Sequence, residues 1–306
     1  MNTKYDIFVV ADLCIDLLFT GNVRPRYGQA EQFIEDYTAD VGGSAAIFAS
    51  QFTKLGGKIG FLGKVGNDIF GDILLNKLKL LQISTEFVTI DKTCKTAVGV
   101  GLSDGKDRAM LTYLGSISAL QPADIQADWI ENTRHWHIAG YYLLEQFQDF
   151  WLEFLPELKK RGITVSLDTN WAPHGDWHKV QNILPFINVL LPNEEEAMLI
   201  SGRFDTIEAG KALAQLCELV VVKCGAEGAI AFQKDKITRF SIPDTLTEDL
   251  AIVDTTGAGD NFDAGFMRNW LLNKPLVDCV HWGMKCGTTS LKAIGGITGQ
   301  VQEIIL

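Results

Sequence analysis

The sequence of 306 residues contains no apolar run that approaches membrane-spanning length. Met1 to Asp6 is polar, and the apolar run after it is a few residues long. It reads as a first strand, not as a secretory leader. Basic charge is scarce: 27 Lys and Arg against 38 Asp and Glu leave a net charge of −11. That balance argues against nucleic acid or an anionic membrane surface as the main partner. The six cysteines form no C-x-x-C pair and no metal-ligand spacing. They read as reduced, mostly buried thiols of a cytoplasmic protein. The His135-x-His137 pair has no cysteine or acidic companion nearby and reads as structural. Two phosphate-binding signatures are also missing. No G-x-x-x-x-G-K-S/T run exists, and the glycines at 60–66 are spaced G-x-x-G-x-x-G instead of G-x-G-x-x-G.

What is present is an ordinary globular composition, 47% hydrophobic and 21% charged, at a length that suits one large α/β unit with an accessory piece. Residues 5–10 read as a buried strand. From 136 onward, strands at 136–141, 163–168, 188–191, 219–224 and 228–232 alternate with helices near 145–161, 194–201, 207–217, 258–272 and 276–293. Such alternation implies a mainly parallel sheet covered on both faces. Ligands then bind beyond the carboxyl ends of the strands, where Asp168, Asn170, Asn193 and Gly225 fall. Residues 31–41 alternate like a strand, and 96–103 with 108–114, joined by Asp104-Gly105-Lys106-Asp107, read as a hairpin. These segments predict a small separate sheet.

The most informative stretch is Asp254-Thr255-Thr256-Gly257-Ala258-Gly259-Asp260, ahead of a periodic apolar helix with Phe262, Phe266 and Trp270. A helix start offers free N–H groups and a positive dipole end, so it attracts anions. Gly257, Ala258 and Gly259 let a phosphate approach that backbone. Asp260 stands in the first turn, where the dipole predicts that it stays ionised. An anion hole beside a base suits phosphoryl transfer to an alcohol. Near the other end of the chain, Asp12 and Asp16 follow the first strand. There they are placed to accept hydrogen bonds from hydroxyls of a ligand, or simply to form a turn.

The run Asp-Thr-Thr-Gly-Ala-Gly-Asp resembles the C-terminal motif of the ribokinase-like (PfkB) carbohydrate kinases. Gly42-Gly43 before a helix and Gly66-Asn67-Asp68-Ile69-Phe70-Gly71 resemble the N-terminal motif. The resemblance covers essentially the whole chain. It implies a ribokinase-like three-layer αβα sandwich with a mainly parallel central sheet. A small β lid, from about 13–41 and 94–115, would complete a single domain spanning 1–306. Asp260 would then be the catalytic base, with Gly257, Ala258 and Gly259 as anion hole. Asp16, Gly42, Gly43, the lid residue Arg108, and Asn170 would meet the sugar, with Asp12 beside them. Asn193 and Glu196 match the family's N-x-x-E motif and would organise Mg2+ and ATP, largely through water. Lys223, Gly225 and Gly228 lie in the nucleotide-side segment, and Asp254 with Thr256 would frame a monovalent cation, K+.

Two departures bear on the substrate. Ile47 stands where most members carry Asn, which puts ribose in doubt. Ala172 stands where ketodeoxygluconate kinases carry a carboxylate-binding Arg, which predicts an uncharged substrate. The resemblance therefore implies an ATP-dependent kinase of a small neutral sugar, a homodimer through its lid. A nucleoside kinase of the same family, with Phe33, Ile47 and Trp171 lining a base pocket, is one alternative. A non-catalytic sugar-binding regulator is another.

Overall fold

The computed structural model describes residues 3–104 and 108–305. Its strands in chain order are β1 Ile7–Val10, β2 Cys14–Thr20, β3 Asp36–Gly42, β4 Ile59–Gly66, β5 Val88–Asp91, β6 Val98–Ser103 and β7 Arg108–Tyr113. They continue with β8 His135–Ile138, β9 Thr164–Leu167, β10 Val189–Leu190, β11 Leu219–Lys223, β12 Ala229–Gln233 and β13 Lys236–Phe240. Seven helices matter here: α1 Ser44–Lys54, α2 Ile69–Leu80, α3 Gln148–Lys160, α4 Glu194–Ser201, α5 Thr206–Leu213, α6 Ala258–Leu271 and α7 Leu276–Ser290.

Nine strands form one sheet in the order β13-β12-β11-β10-β9-β8-β1-β4-β5. From β5 to β11 the pairs are parallel, and β12 and β13 add antiparallel at one edge. The parallel strands are apolar on both faces, as IFVV of β1 shows, because helices cover both. Alternate residues of one strand enter different cores. Phe8 and Val10 join Trp136, Trp151, Phe154 and Leu155 under α3. Ile7 and Val9 join Phe48, Phe52, Phe262, Phe266 and Met267 under α1 and α6. The result is a three-layer α/β sandwich. His135 and His137 both bond the Ser166 hydroxyl, at 2.8 Å each, and His135 also bonds Thr164, so their rings serve the sheet interior.

A second sheet has the order β3-β2-β6-β7. Its edge strand β3 starts later than the alternation over 31–41 predicts: it begins at Asp36, and Phe33 is 87% exposed outside it. Gly105, Lys106 and Asp107 of the hairpin turn, and the side chain of Arg108, lie outside the described residues. Several segments of the main sheet went unread as strands, notably β4, whose glycines look like a loop motif, and the short edge strands β5 and β13.

Candidate active site

The carboxyl ends of β9, β10 and β11 and the N-terminus of α6 converge on one cleft of about 540 Å³. Its polar floor holds Asp168, Asn170, Asn193, Glu196, Lys223 and Asp260, and its other end is lined by Ile242, Leu250, Ile252, Met284 and Leu291. One wall is the turn Gly257–Asp260, which begins α6.

Gly257 is the N-cap of α6 in left-handed backbone, φ 70°, a conformation that favours glycine. Space demands glycine too, since a Cβ there would meet Gly296 Cα at 2.9 Å and the Ile47 side chain at 3.0 Å. Ile47 thus packs behind the turn, 3% exposed, and does not line the cleft. The turn is braced from inside. Asn261 Nδ2 donates to the carbonyls of Gly257 and Gly296, each at 2.8 Å. Gln300 Nε2 donates to Asn261 Oδ1 at 2.8 Å and to the Ile47 carbonyl at 2.9 Å, while its Oε1 accepts from Ser50. Asp254 accepts from the Thr256 N–H and hydroxyl and from the Gly295 N–H, so its carboxylate ties the preceding loop to 295.

Asp260 is 9% exposed. The dipole argument predicts an ionised carboxylate, and burial works against it. Burial pushes its pKa well above the usual carboxylate range, Asp168 adds to the rise, and Lys223 opposes it. Lys223 does not project into water as a strand-end lysine usually does. Its Nζ donates to Asp168 Oδ2 at 3.0 Å and to both Asp263 oxygens at 3.2 Å. Burial alone would discharge it, but Asp168 and Asp263 outweigh burial and keep it cationic. Burial would likewise raise Asp168, yet Lys223 and a hydrogen bond with Asp263 hold it below its ordinary value. Asp263 was not a candidate from sequence. Only its place one turn after Asp260, on the same helix face, could have signalled it.

Glu196 and Asn193 form a capping box on α4: Asn193 Oδ1 accepts the Glu196 N–H at 2.8 Å and Glu196 Oε2 accepts the Asn193 N–H at 2.9 Å. Both still face the cleft. Burial, then Asp168, raises the Glu196 carboxyl to about 7. Gly225 (φ 52°) has open space where a Cβ would stand, on the cleft wall. Gly228 also lines the cleft, and a Cβ there would meet the Phe240 carbonyl at 2.0 Å.

On the far side, Asp12 caps α1 from a distance. Its carboxylate accepts the N–H groups of Ser44 and Ala45 at 3.0 Å each. Gly43 (φ 92°) allows this, because any Cβ would lie 2.2 Å from the Asp12 carbonyl oxygen. Asn170, in left-handed backbone, accepts the Gly140 N–H at 2.7 Å and donates to the Ser44 hydroxyl. Asp16 sits on β2 against Gly42 and Gly99, and a Cβ at either glycine would strike its carboxyl. Burial, with further repulsion from Asp12 and Asp40, raises Asp16 to about 6. Trp171 is 55% exposed and packs edge-on against Trp177, while Ala172 is buried.

A model of the pfkB family carbohydrate kinases matches residues 5–303. A 5-dehydro-2-deoxygluconokinase of Geobacillus thermodenitrificans is 27% identical over 296 residues, 91% of this chain and 85% of that protein. An ATP-dependent 6-phosphofructokinase of Thermoanaerobacterium thermosaccharolyticum is 27% identical over 303 residues, 96% of this chain and 90% of that protein. Among solved structures, a ribokinase of Arabidopsis thaliana complexed with ribose and ATP has a TM-score of 0.80 at 21% identity, covering 97% of this chain and 96% of its own. An adenosine kinase of Sinorhizobium meliloti has a TM-score of 0.80 at 20% identity, covering 96% and 95%. The structural likeness speaks for the fold, and the family match spans nearly the whole sequence. The chain belongs to the pfkB family of carbohydrate kinases, ATP-dependent phosphotransferases.

Proposed function

We propose that this kinase transfers the γ-phosphoryl group of ATP to a hydroxyl of a small neutral sugar. The observation that carries the reading is the position of Asp260. It is a buried carboxyl in the first turn of α6, next to the backbone N–H groups of the Gly257 turn. Its cleft runs from polar floor to apolar wall. Adenine suits the apolar end with Ile242, Ile252 and Met284, and the phosphates suit the floor, with Gly225 leaving room. In the reaction Asp260 takes the proton of the attacking hydroxyl, the O–H bond breaks as the new O–P bond forms, and ADP leaves. The N–H groups at 257–260 receive charge that develops on the transferred group.

The donor set fits a hydrated Mg2+. Glu196 is a buried carboxyl facing the cleft with only Oε2 engaged, and among the described residues no cluster of three or more ligating side chains would cage a metal. When bound near Glu196 and Asn193, Mg2+ supplies neutralisation of phosphate charge. Asp254 and Thr256 remain the candidates for a monovalent cation. For the sugar, Asp16 offers a carboxyl flanked by Gly42 and Gly99, Asn170 lines the cleft, and Arg108 opens β7 of the small sheet. Carboxyls at Asp12 and Asp16 and the buried Ala172 favour a neutral substrate over an anionic one. The relatives named for an acidic sugar and a sugar phosphate define the competing outcome.

The test is ADP release with Mg-ATP across neutral hexoses and pentoses, sugar acids, sugar phosphates and nucleosides. A neutral sugar should give the highest kcat/KM. Preference for 5-dehydro-2-deoxygluconate or fructose 6-phosphate would reverse the inference from Ala172, and preference for a nucleoside would favour the base-pocket alternative.

A further inference from the structure

Among the described residues Lys223 is the one cation lining the cleft, and three elements hold it. Asp168 reaches it from the end of β9, Asp263 from α6, and its own backbone ends β11. All three side chains are nearly or wholly out of solvent, at 12% for Lys223, 6% for Asp168 and 0% for Asp263. The ammonium lies beneath the anion-hole turn, since a Cβ at Gly259 would stand 3.2 Å from Nζ. A buried ion cluster of this kind is weak evidence for stability, because desolvation offsets the attraction. Its place under the base gives it another use.

We propose that Lys223, clamped by Asp168 and Asp263, is the positioning residue of the catalytic base: its ammonium is the fixed counter-charge that keeps Asp260 available as a proton acceptor. This rests on the kinase reading of Asp260. The groups that face Asp260 are Asp12 after β1, Ser44 at the start of α1, Asp168 after β9, Lys223 at the end of β11, and Asp263 on its own helix. Glu196 of α4 stands next to Asp168. Every ionisable group among them except Lys223 is acidic. Burial and Asp168 push the Asp260 carboxyl up, and Lys223 is the largest charge that opposes them. Asp263 matters through geometry: with Asp168 it holds the ammonium under Gly259.

Two variants isolate the ammonium, Asp263→Asn and the double variant Lys223→Met/Asp263→Asn. Both lack the Asp263 charge, so they differ only at Lys223, and the double variant leaves fewer unpaired buried charges than Lys223→Met alone. The readout is the titration of the Asp260 carboxyl in the nucleotide-free protein by carbon-13 NMR, with Asp260→Asn assigning the resonance. The titration point should lie at least ~1 pH unit higher in the double variant than in Asp263→Asn. Lys223→Arg, which keeps the charge, should stay within about half a unit of wild type. If the double variant does not fold, Lys223→Arg carries the test alone, and a rise of a full unit there overturns the proposal. So does equality of the first two variants, which would leave the cluster a purely structural brace. The titration needs no substrate, so failure here is separate from failure of the kinase reading, which shows as no ADP release with any acceptor.

Discussion

At Asp260 two demands meet. As the base proposed above it must be ionised to accept a proton, yet it is buried beside Asp168. Burial makes a neutral amide an easy replacement, so Asp260→Asn should fold with no loss of melting temperature. Turnover should fall by at least ~10² while KM for ATP changes little, because the lost acceptor acts only along the reaction path. The measurement is kcat of the folded variant with the best acceptor, and turnover within about tenfold of wild type would remove Asp260 as the base. Asp16 gives a second residue-scale test. Its folded carboxyl titrates near 6, above the 3.8 of an unperturbed Asp. The folded state therefore binds the proton more tightly, and stability falls as pH rises from about 4 through 6. Asp16→Asn should raise unfolding free energy by roughly 1–3 kcal/mol at pH 7 and by less than about 1 kcal/mol near pH 4. Urea unfolding at both pH values checks this. If Asp16 also holds sugar hydroxyls, KM for the sugar rises in the same variant. A gain in stability without a change in KM would leave Asp16 out of the sugar site.

Helix α6 shows how elements far apart in sequence brace the turn that begins it. Its first turn is held by Asn261, and Asn261 is held by Gln300, which also grips α1 through the Ile47 carbonyl and Ser50. Gln300→Ala would orphan three buried polar groups, each worth about 1–3 kcal/mol with partial relaxation, so a net loss of roughly 2–4 kcal/mol is expected. The Gly257 turn should loosen as well, lowering kcat more than it raises KM. Urea melts and steady-state kinetics check both; a cost below about 0.5 kcal/mol would mean that water replaces the amide. None of this was legible in the sequence, because Gln300 lies in a short irregular tail and its partners are 39 to 253 residues away. The turn itself was legible, since the small residues Gly257, Ala258 and Gly259 ahead of an apolar periodic run mark a helix start locally. So were the parallel strands, whose apolar runs mark burial on both faces. Strand β4 was not, because its glycines pass close to Phe8 and Thr96 for packing reasons that a motif reading mistakes for a ligand loop. Asp263 and the clamp on Lys223 were hidden for the same reason as Gln300: their meaning is tertiary.

For the whole molecule the open question is what covers the outer face of the small sheet. Pairing puts Tyr37 with Phe19, Val100 with Leu111 and Val98 with Tyr113, so these side chains share one face. Met110 pairs with Gly101 and points to the opposite face, toward Leu18. Near α2 the face is covered, with Ile15 and Val41 buried. Farther out it is bare, with Tyr37 66%, Leu111 61% and Tyr113 53% exposed. An aromatic and aliphatic patch on a sheet whose two outer strands, β3 and β7, are both edges tends to be covered by another chain. A second copy is the partner proposed here, through sheet faces related by a two-fold axis, where the same patch meets itself. Sedimentation at micromolar concentration should give a dimer. Leu111→Lys should shift it to monomer by placing like charges opposite each other in a buried contact, while the fold survives because Leu111 is already exposed in one copy. The apolar cleft and Asp260 lie on other elements, so the monomeric variant should keep ATP binding. Its KM for the sugar should rise if the small sheet closes over the acceptor. A wild-type protein that sediments as a monomer with and without ligand would remove the dimer, and a Leu111→Lys protein that remains dimeric would move the interface elsewhere.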